Sequence, residues 1–92
     1  MTLRTLGTAP RIHHDGSRIG IQPAHLAVRW HYRDQLATAI LLWLDAADSG
    51  QAKEAQSWQV RRQLAEEHGI NGDEARLLTI TASLCIAHNI EP

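Results

Sequence analysis

The stretch from residue 24 to residue 47 constrains the fold most, because it is rich in apolar residues and contains neither glycine nor proline. Pro23 suits the first turn of a helix, and Gly50 can end one in a left-handed conformation. We therefore predict one helix over residues 24–47, about 36 Å long. Its apolar residues cover an arc of roughly 200°, whereas a surface helix needs about 100°. The excess predicts a helix that is central in the domain or has a second face buried by a partner.

Residues 1–22 have a different pattern, with a turn signal at Asp15-Gly16 between two short runs that contain isoleucine. Asp-Gly favours a β-hairpin with a type I′ turn, since both central positions of that turn need positive φ. Ile19 and Ile21 would share one face of the second strand. An isolated hairpin is only marginally stable in water, so it must pack on the helices or pair with a partner. The alternative is a loosely attached arm.

Two further helices are predicted, over about residues 51–68 and 73–88. Gly69 can end the first of them, and the side chain of Asp73 can cap the second. The predicted fold class is mainly α: a three-helix domain with an N-terminal β-hairpin or extended arm. We interpret residues 1–92 as a single domain, with the hairpin or arm at 1–22 and the helical bundle at 23–92.

The segment from residue 62 to residue 78 resembles the helix-turn-helix of bacterial transcription regulators. The small residue Ala65 would face the turn, Gly69 follows four residues later, and three apolar positions come next: Ile70, Ala75 and Leu78. The resemblance implies a DNA-binding regulator, with three candidate nucleic-acid contacts: Arg62, Asn71 and Arg76. A recognition helix presents its first residues to base edges, and here these are Asp73 and Glu74, which repel phosphate. We therefore expect a structural helix-turn-helix and keep DNA binding as the alternative function.

The formal net charge of −1 conceals an uneven distribution. Residues 1–33 hold five arginines and one acid, whereas residues 34–92 hold four bases and nine acids. A chain this close to neutral lacks the uniformly basic surface of a nonspecific nucleic-acid binder, although a basic patch in the first third stays possible. An acidic partner, or the acidic half of a second copy, would fit such a patch.

Arginine and aromatic residues on the predicted long helix mark a candidate binding surface. Arg29 and Arg33 are four residues apart, so they would share a face beside Trp30 and Tyr32. Trp, Tyr and Arg are enriched where proteins bind one another, and the same residues could stack on a nucleobase or hold a phosphate. The alternative is that the arginine stems cover core edges and their charged ends reach water. The candidate partner-binding residues are Arg11, Arg18, Arg29, Trp30, Tyr32, Arg33 and Trp43.

No catalytic or metal-binding pattern stands out. None of the six histidines has ligand spacing with another histidine or with cysteine, so we predict surface histidines, no metal and no cofactor. If several histidines met at an interface, association would weaken near pH 6. Cys85 and His88 form the only conceivable nucleophile pair, and we expect a buried structural cysteine instead. The prediction is a protein that is not an enzyme.

The longest uncharged apolar run, residues 36–44, is far shorter than the roughly 20 residues that span a bilayer. The first ten residues do not read as a signal peptide, and a single cysteine suits a reducing compartment. We therefore predict a cytoplasmic protein without membrane contact. Eight arginines against one lysine suggest a bacterial or phage genome.

These observations predict a small non-enzymatic regulatory protein that acts by protein–protein binding. It would be an adaptor or inhibitor, encoded by a phage or mobile element, whose partner is another protein or itself. Self-association would use the long helix and give a homo-oligomer. The alternatives are the helix-turn-helix DNA-binding regulator and a structural subunit of a larger assembly.

Overall fold

The computed structural model of the protein describes residues 9–92, in which three short strands precede three helices. The strands form an antiparallel sheet in chain order: β1 (Arg11–Asp15), β2 (Arg18–Gln22) and β3 (Arg29–Tyr32). The helices follow: α1 (Arg33–Ala47), α2 (Lys53–His68) and α3 (Gly72–Ala87). The predicted helical domain with an N-terminal hairpin is thus confirmed in outline, but a third strand makes the fold a mixture of α and β. The first eight residues of the predicted arm lie outside the described residues.

The hairpin forms where the sequence predicts it, with a different turn. Asp15 pairs with Arg18, so Gly16 and Ser17 are the two central residues. Gly16 has a φ of +60°, whereas Ser17 is not among the residues with positive φ. Positive φ at the first central position alone is typical of a type II′ turn, so the predicted type I′ turn is wrong. Ile19 and Ile21 are fully buried on one face, as predicted.

The predicted helix over residues 24–47 is wrong in its first third. The NH group of Leu26 donates to the carbonyl oxygen of Pro23 in a tight turn, and His25 has a φ of +66°. β3 follows, pairs with β2 and leads directly into α1. The edge of β2 has backbone groups that need partners, and the alternating aromatic residues of β3 suit a strand. The long helix that we expected to drive self-association is therefore not formed.

The three helices pack around an apolar core. Their buried residues recur at helical spacing: Leu36, Ala39, Trp43 and Ala46 on α1, Val60 and Leu64 on α2, and Ala75, Leu78, Ala82 and Cys85 on α3. The buried Gln56 on α2 donates from Nε2 to the carbonyl oxygen of Trp43, 2.9 Å away. α3 also buries Thr79 and Thr81, so it is enclosed on more than one side.

α2 and α3 are joined by a three-residue turn, as in a helix-turn-helix. Gly69 is left-handed with a φ of +68°, and the NH group of Ile70 donates to the carbonyl oxygen of Leu64 at 3.0 Å. This confirms the predicted end of the helix. The predicted cap at Asp73 is wrong, because α3 begins one residue earlier and Asn71 occupies the cap position without a side-chain capping bond.

The left-handed conformation of Gly69 makes a stability prediction. Gly69→Ala is expected to lower the free energy of unfolding by about 1 kcal/mol, because a Cβ atom is strained at positive φ. Glu67→Ala, on an exposed position of the same last turn, is the control and should change it by less than about 0.5 kcal/mol. Urea denaturation measures both. Equal midpoints for the two variants would show that the turn tolerates a side chain.

Candidate functional site

The sheet has one face turned toward the core and one turned outward. Because side chains alternate along each strand, the face opposite Ile19 and Ile21 is defined by the pairing register. We call it the outer face. It comprises Arg11, His13 and Asp15 on β1, Arg18, Gly20 and Gln22 on β2, and Trp30 and Tyr32 on β3.

Trp30 lies at the centre of the outer face, across from Gly20. A Cβ atom placed on Gly20 would lie 3.1 Å from the Trp30 ring, so the indole rests against a bare stretch of backbone. The guanidinium carbon of Arg18 is 5.1 Å from the centroid of the same ring, and the His13 ring is 6.3 Å from it. Trp30 is nevertheless 42% exposed. The indole is therefore held in place and still accessible.

Polar contacts join four side chains of the outer face in two pairs. Arg18 donates from Nη2 to Oδ2 of Asp15 at 2.6 Å, in an exposed ion pair. Nε2 of His13 and Oε1 of Gln22 are joined by a 3.0 Å hydrogen bond. Tyr32, at the edge of the face, is 53% exposed. Two exposed aromatic residues beside guanidinium groups are typical of protein-binding surfaces.

The structure brings together four of the seven predicted binding residues: Arg11, Arg18, Trp30 and Tyr32. The predicted helical face shared by Arg29 and Arg33 is not formed, because Arg29 belongs to β3 and Arg33 begins α1. Arg33 donates from Nη2 to Nδ1 of His14 at 2.6 Å. Trp43 is only 8% exposed and belongs to the core, because its position on α1 faces the other helices.

His31 lies in the interior of the protein and not on its surface. A surface histidine was predicted at this position, but His31 lies on the inner face of β3 and is 8% exposed. Its Nε2 and Oγ1 of the buried Thr81 are joined by a 3.0 Å hydrogen bond, which ties the sheet to α3. Burial lowers the pKa of His31, the charge of Arg29 lowers it further, and Glu74 opposes them.

Four residues of the outer face were missed: Asp15, Gln22 and the central cross-strand pair, Gly20 and His13. A two-residue turn after Asp15 places the members of this pair opposite each other, so the turn signal itself could have found them. Placing their neighbour Trp30 on this face requires a second signal. That signal is the alternation of bulky residues from Val28 to Tyr32, which is typical of a strand.

The helix-turn-helix candidates lie on a different surface. Arg76 donates from Nε to Oδ1 of Asp73 at 2.9 Å, and Asn71 donates from Nδ2 to the carbonyl oxygen of Gly69 at 3.4 Å. Arg62 is exposed on α2. Asp73 and Glu74 are exposed in the first turn of α3. Acidic groups thus stand where a recognition helix would approach phosphate.

Other parts of the structure offer little chemistry. Cys85 is fully buried, as predicted, and burial raises the pKa of its thiol to about 11, which disfavours the nucleophilic thiolate. A groove of about 710 Å³ is lined by Trp43, Ala52, Lys53, Glu54, Ser57, Thr79, Ile80 and Ser83.

Within residues 9–92, no three or more His, Cys, Asp or Glu residues are grouped to hold a metal ion. No helix in this part of the chain is long and apolar enough to cross a membrane.

Comparison of the chain with protein family models, with curated proteins and with solved structures gave no match. The outer face must therefore be interpreted from its own geometry.

Proposed function

We propose that this chain is a small non-enzymatic regulatory protein, an adaptor or inhibitor, that binds another protein through the outer face. The observation that carries the proposal is the stack at its centre, in which the exposed Trp30 lies on Gly20 beneath the guanidinium of Arg18. Trp, Tyr and Arg are enriched among the interface residues whose replacement by alanine weakens binding most. The outer face presents all three types, since Tyr32 pairs across the strands with Arg18 and Trp30 pairs with Gly20.

The position of Trp30 favours binding because it is fixed before any partner arrives. Association loses affinity when flexible side chains must be ordered. The indole already lies against Gly20, with the guanidinium of Arg18 over its ring and the His13 ring beside it. A partner that covers the exposed part of the ring therefore gains buried apolar area with little ordering cost.

A protein partner fits the charges of the outer face better than a nucleic acid does. Binding to a phosphate backbone depends on several cations that are free to displace counterions. The outer face has two arginines, and Asp15 already pairs with Arg18. Its charge is close to balanced, as in a protein interface that combines apolar contact with a few directed polar bonds.

DNA binding through α2 and α3 is the second candidate function. It is favoured by the three-residue turn with its left-handed Gly69 and by the exposed Arg62. It is disfavoured by the carboxylates of Asp73 and Glu74 at the start of α3. The two functions use separate surfaces, so substitutions can distinguish them.

The test compares two exposed tryptophans that are each approached by an arginine. Trp30→Ala is expected to weaken partner binding by at least about 30-fold, which corresponds to about 2 kcal/mol. Trp58→Ala is the matched control, because Trp58 is 56% exposed, lies on α2 and has the guanidinium carbon of Arg61 4.0 Å from its ring centroid. Affinity capture from cells that express the chain identifies the partner, and calorimetry with the purified partner measures the affinity.

The control also separates the two functions. If Trp58→Ala and Arg62→Ala abolish salt-sensitive retention of DNA while Trp30→Ala has no effect on any binding, the DNA function is supported and the protein-binding function is wrong. Equal loss of affinity from both tryptophan variants would mean that the outer face is not the binding surface.

A further inference from the structure

Strand β1 is an edge strand with little cover. The sheet order leaves one side of β1 without a neighbouring strand within residues 9–92. Four of its five residues are exposed, and even Ile12, on the inner side of the sheet, is 41% exposed. Such an edge carries unpaired backbone NH and carbonyl groups that can pair with another strand.

The register of the hairpin shows which backbone groups these are. In a two-residue hairpin the residues that flank the turn exchange backbone hydrogen bonds, and here they are Asp15 and Arg18. By the alternation of antiparallel pairs, His13 and Arg11 also direct their backbone groups toward β2. Ile12 and His14 therefore direct theirs outward, toward the free edge.

The sequence of β1, Arg-Ile-His-His-Asp, is complementary to itself in the antiparallel direction. When a second copy is aligned on His13, Arg11 stands opposite Asp15 of the other copy, and this pair occurs twice. Ile12 then stands opposite His14, so the outward backbone groups of the two copies meet. A shift of two residues in either direction removes both charge pairs. Opposite charges across a strand pair stabilise it, so charge and backbone select the same register.

We infer that β1 pairs with β1 of a second copy across a two-fold axis and forms a continuous six-stranded sheet. The contact is self-complementary, as a two-fold interface requires. The outer faces of the two copies then lie side by side on the same face of the continuous sheet. The dimer therefore presents two exposed Trp30 side chains to a partner. This inference is independent of the proposed function, because it concerns the strand edge and is measured on the purified chain alone.

The test reverses the two charges. Analytical ultracentrifugation between about 1 μM and 1 mM, the range of weak to moderate affinities, should show a dimer for the natural chain. Arg11→Asp and Asp15→Arg are each expected to weaken it at least tenfold, since like charges then face each other. An equimolar mixture of the two variants should form a mixed dimer, because the introduced aspartate faces the introduced arginine. Thermal unfolding of each variant verifies that the hairpin survives the loss of the Asp15–Arg18 pair.

A second pair of variants tests the backbone. Ile12→Pro removes an outward NH group without removing a bond to β2, and it should give a monomer. Ile12→Val keeps that NH group and should remain dimeric. A natural chain that is monomeric throughout the concentration range would overturn the inference. It would equally be overturned by a dimer that Arg11→Asp, Asp15→Arg and Ile12→Pro leave unchanged, because that dimer would use another surface.

Discussion

Replacement of Gly20 by alanine is expected to lower the free energy of unfolding by about 1–3 kcal/mol and to displace Trp30 from the outer face. The new Cβ atom would lie 2.6 Å from Cγ1 of Val28 and 3.1 Å from the indole ring, so both side chains have to move. In an unobstructed strand the same substitution stabilises, because it reduces the conformational freedom of the unfolded chain. The sign of the change in unfolding free energy therefore shows whether Val28 and Trp30 lie as close to the backbone of Gly20 as the structure has them.

A double-mutant cycle tests the cause. When Val28→Ala and Trp30→Ala remove the obstructing atoms, Gly20→Ala should become neutral or stabilising in urea denaturation. The same cost in both backgrounds would show that the clash is not with these two side chains. Gly20→Ala also changes no charge, so a loss of partner affinity similar to that of Trp30→Ala would indicate that the position of the indole matters and not only its presence.

Local signals predicted the parts of the fold that local chemistry determines. The turn at Asp15-Gly16 and the left-handed Gly69 were both located from residue type, because glycine adopts positive φ without strain. The three apolar positions of the helix-turn-helix pattern, Ile70, Ala75 and Leu78, are all buried in the structure. Even here the hairpin turn type was wrong, since Asp15 pairs within the strand instead of occupying a central turn position.

β3 has one local signal, the alternation of bulky residues from Val28 to Tyr32, but its conformation also depends on residues distant in the chain. The segment before it contains Ala24, Leu26 and Ala27, which favour helix. His25 adopts a positive φ, which is uncommon for any residue other than glycine. The strand forms because β2 offers a free edge and because His31 finds Thr81, fifty residues later. Neither partner is visible in the local pattern.

The sequence analysis predicted which residue types form the candidate site but not the secondary structure on which they lie. Trp30, Tyr32 and Arg18 were identified as interface residues because of their types, and this assignment remains a prediction. They were placed on a helix, where Arg29 and Arg33 would have joined them. A strand instead sends Arg29 to the face opposite Trp30, so the site contains the two arginines of the hairpin.

Thr81→Val is expected to lower the free energy of unfolding by about 1–3 kcal/mol, although valine has nearly the same shape as threonine. Thr81 is fully buried, and its hydroxyl is the hydrogen-bond partner of Nε2 of His31. Removing one partner leaves a buried polar atom unsatisfied, which costs more than the bond itself contributes. Removing both partners, in His31→Leu with Thr81→Val, should restore much of the loss. Urea denaturation at pH 7.5, where few imidazoles carry the second proton and are charged, measures the contribution of the hydrogen bond without interference from histidine titration.

The same pair makes the stability of the fold depend on pH. Burial, assisted by Arg29 and opposed by Glu74, lowers the pKa of His31 below its ordinary value of 6.5. Below that value the unfolded chain binds a proton that the folded chain resists, so stability falls as the pH drops from 6.5 toward the lowered pKa of His31. His31→Gln keeps a polar partner for Thr81 and cannot titrate, so its unfolding free energy should fall less between pH 7 and pH 5. Because the other five histidines are unchanged in that variant, parallel pH profiles for the two proteins would show that His31 does not titrate differently in the folded state.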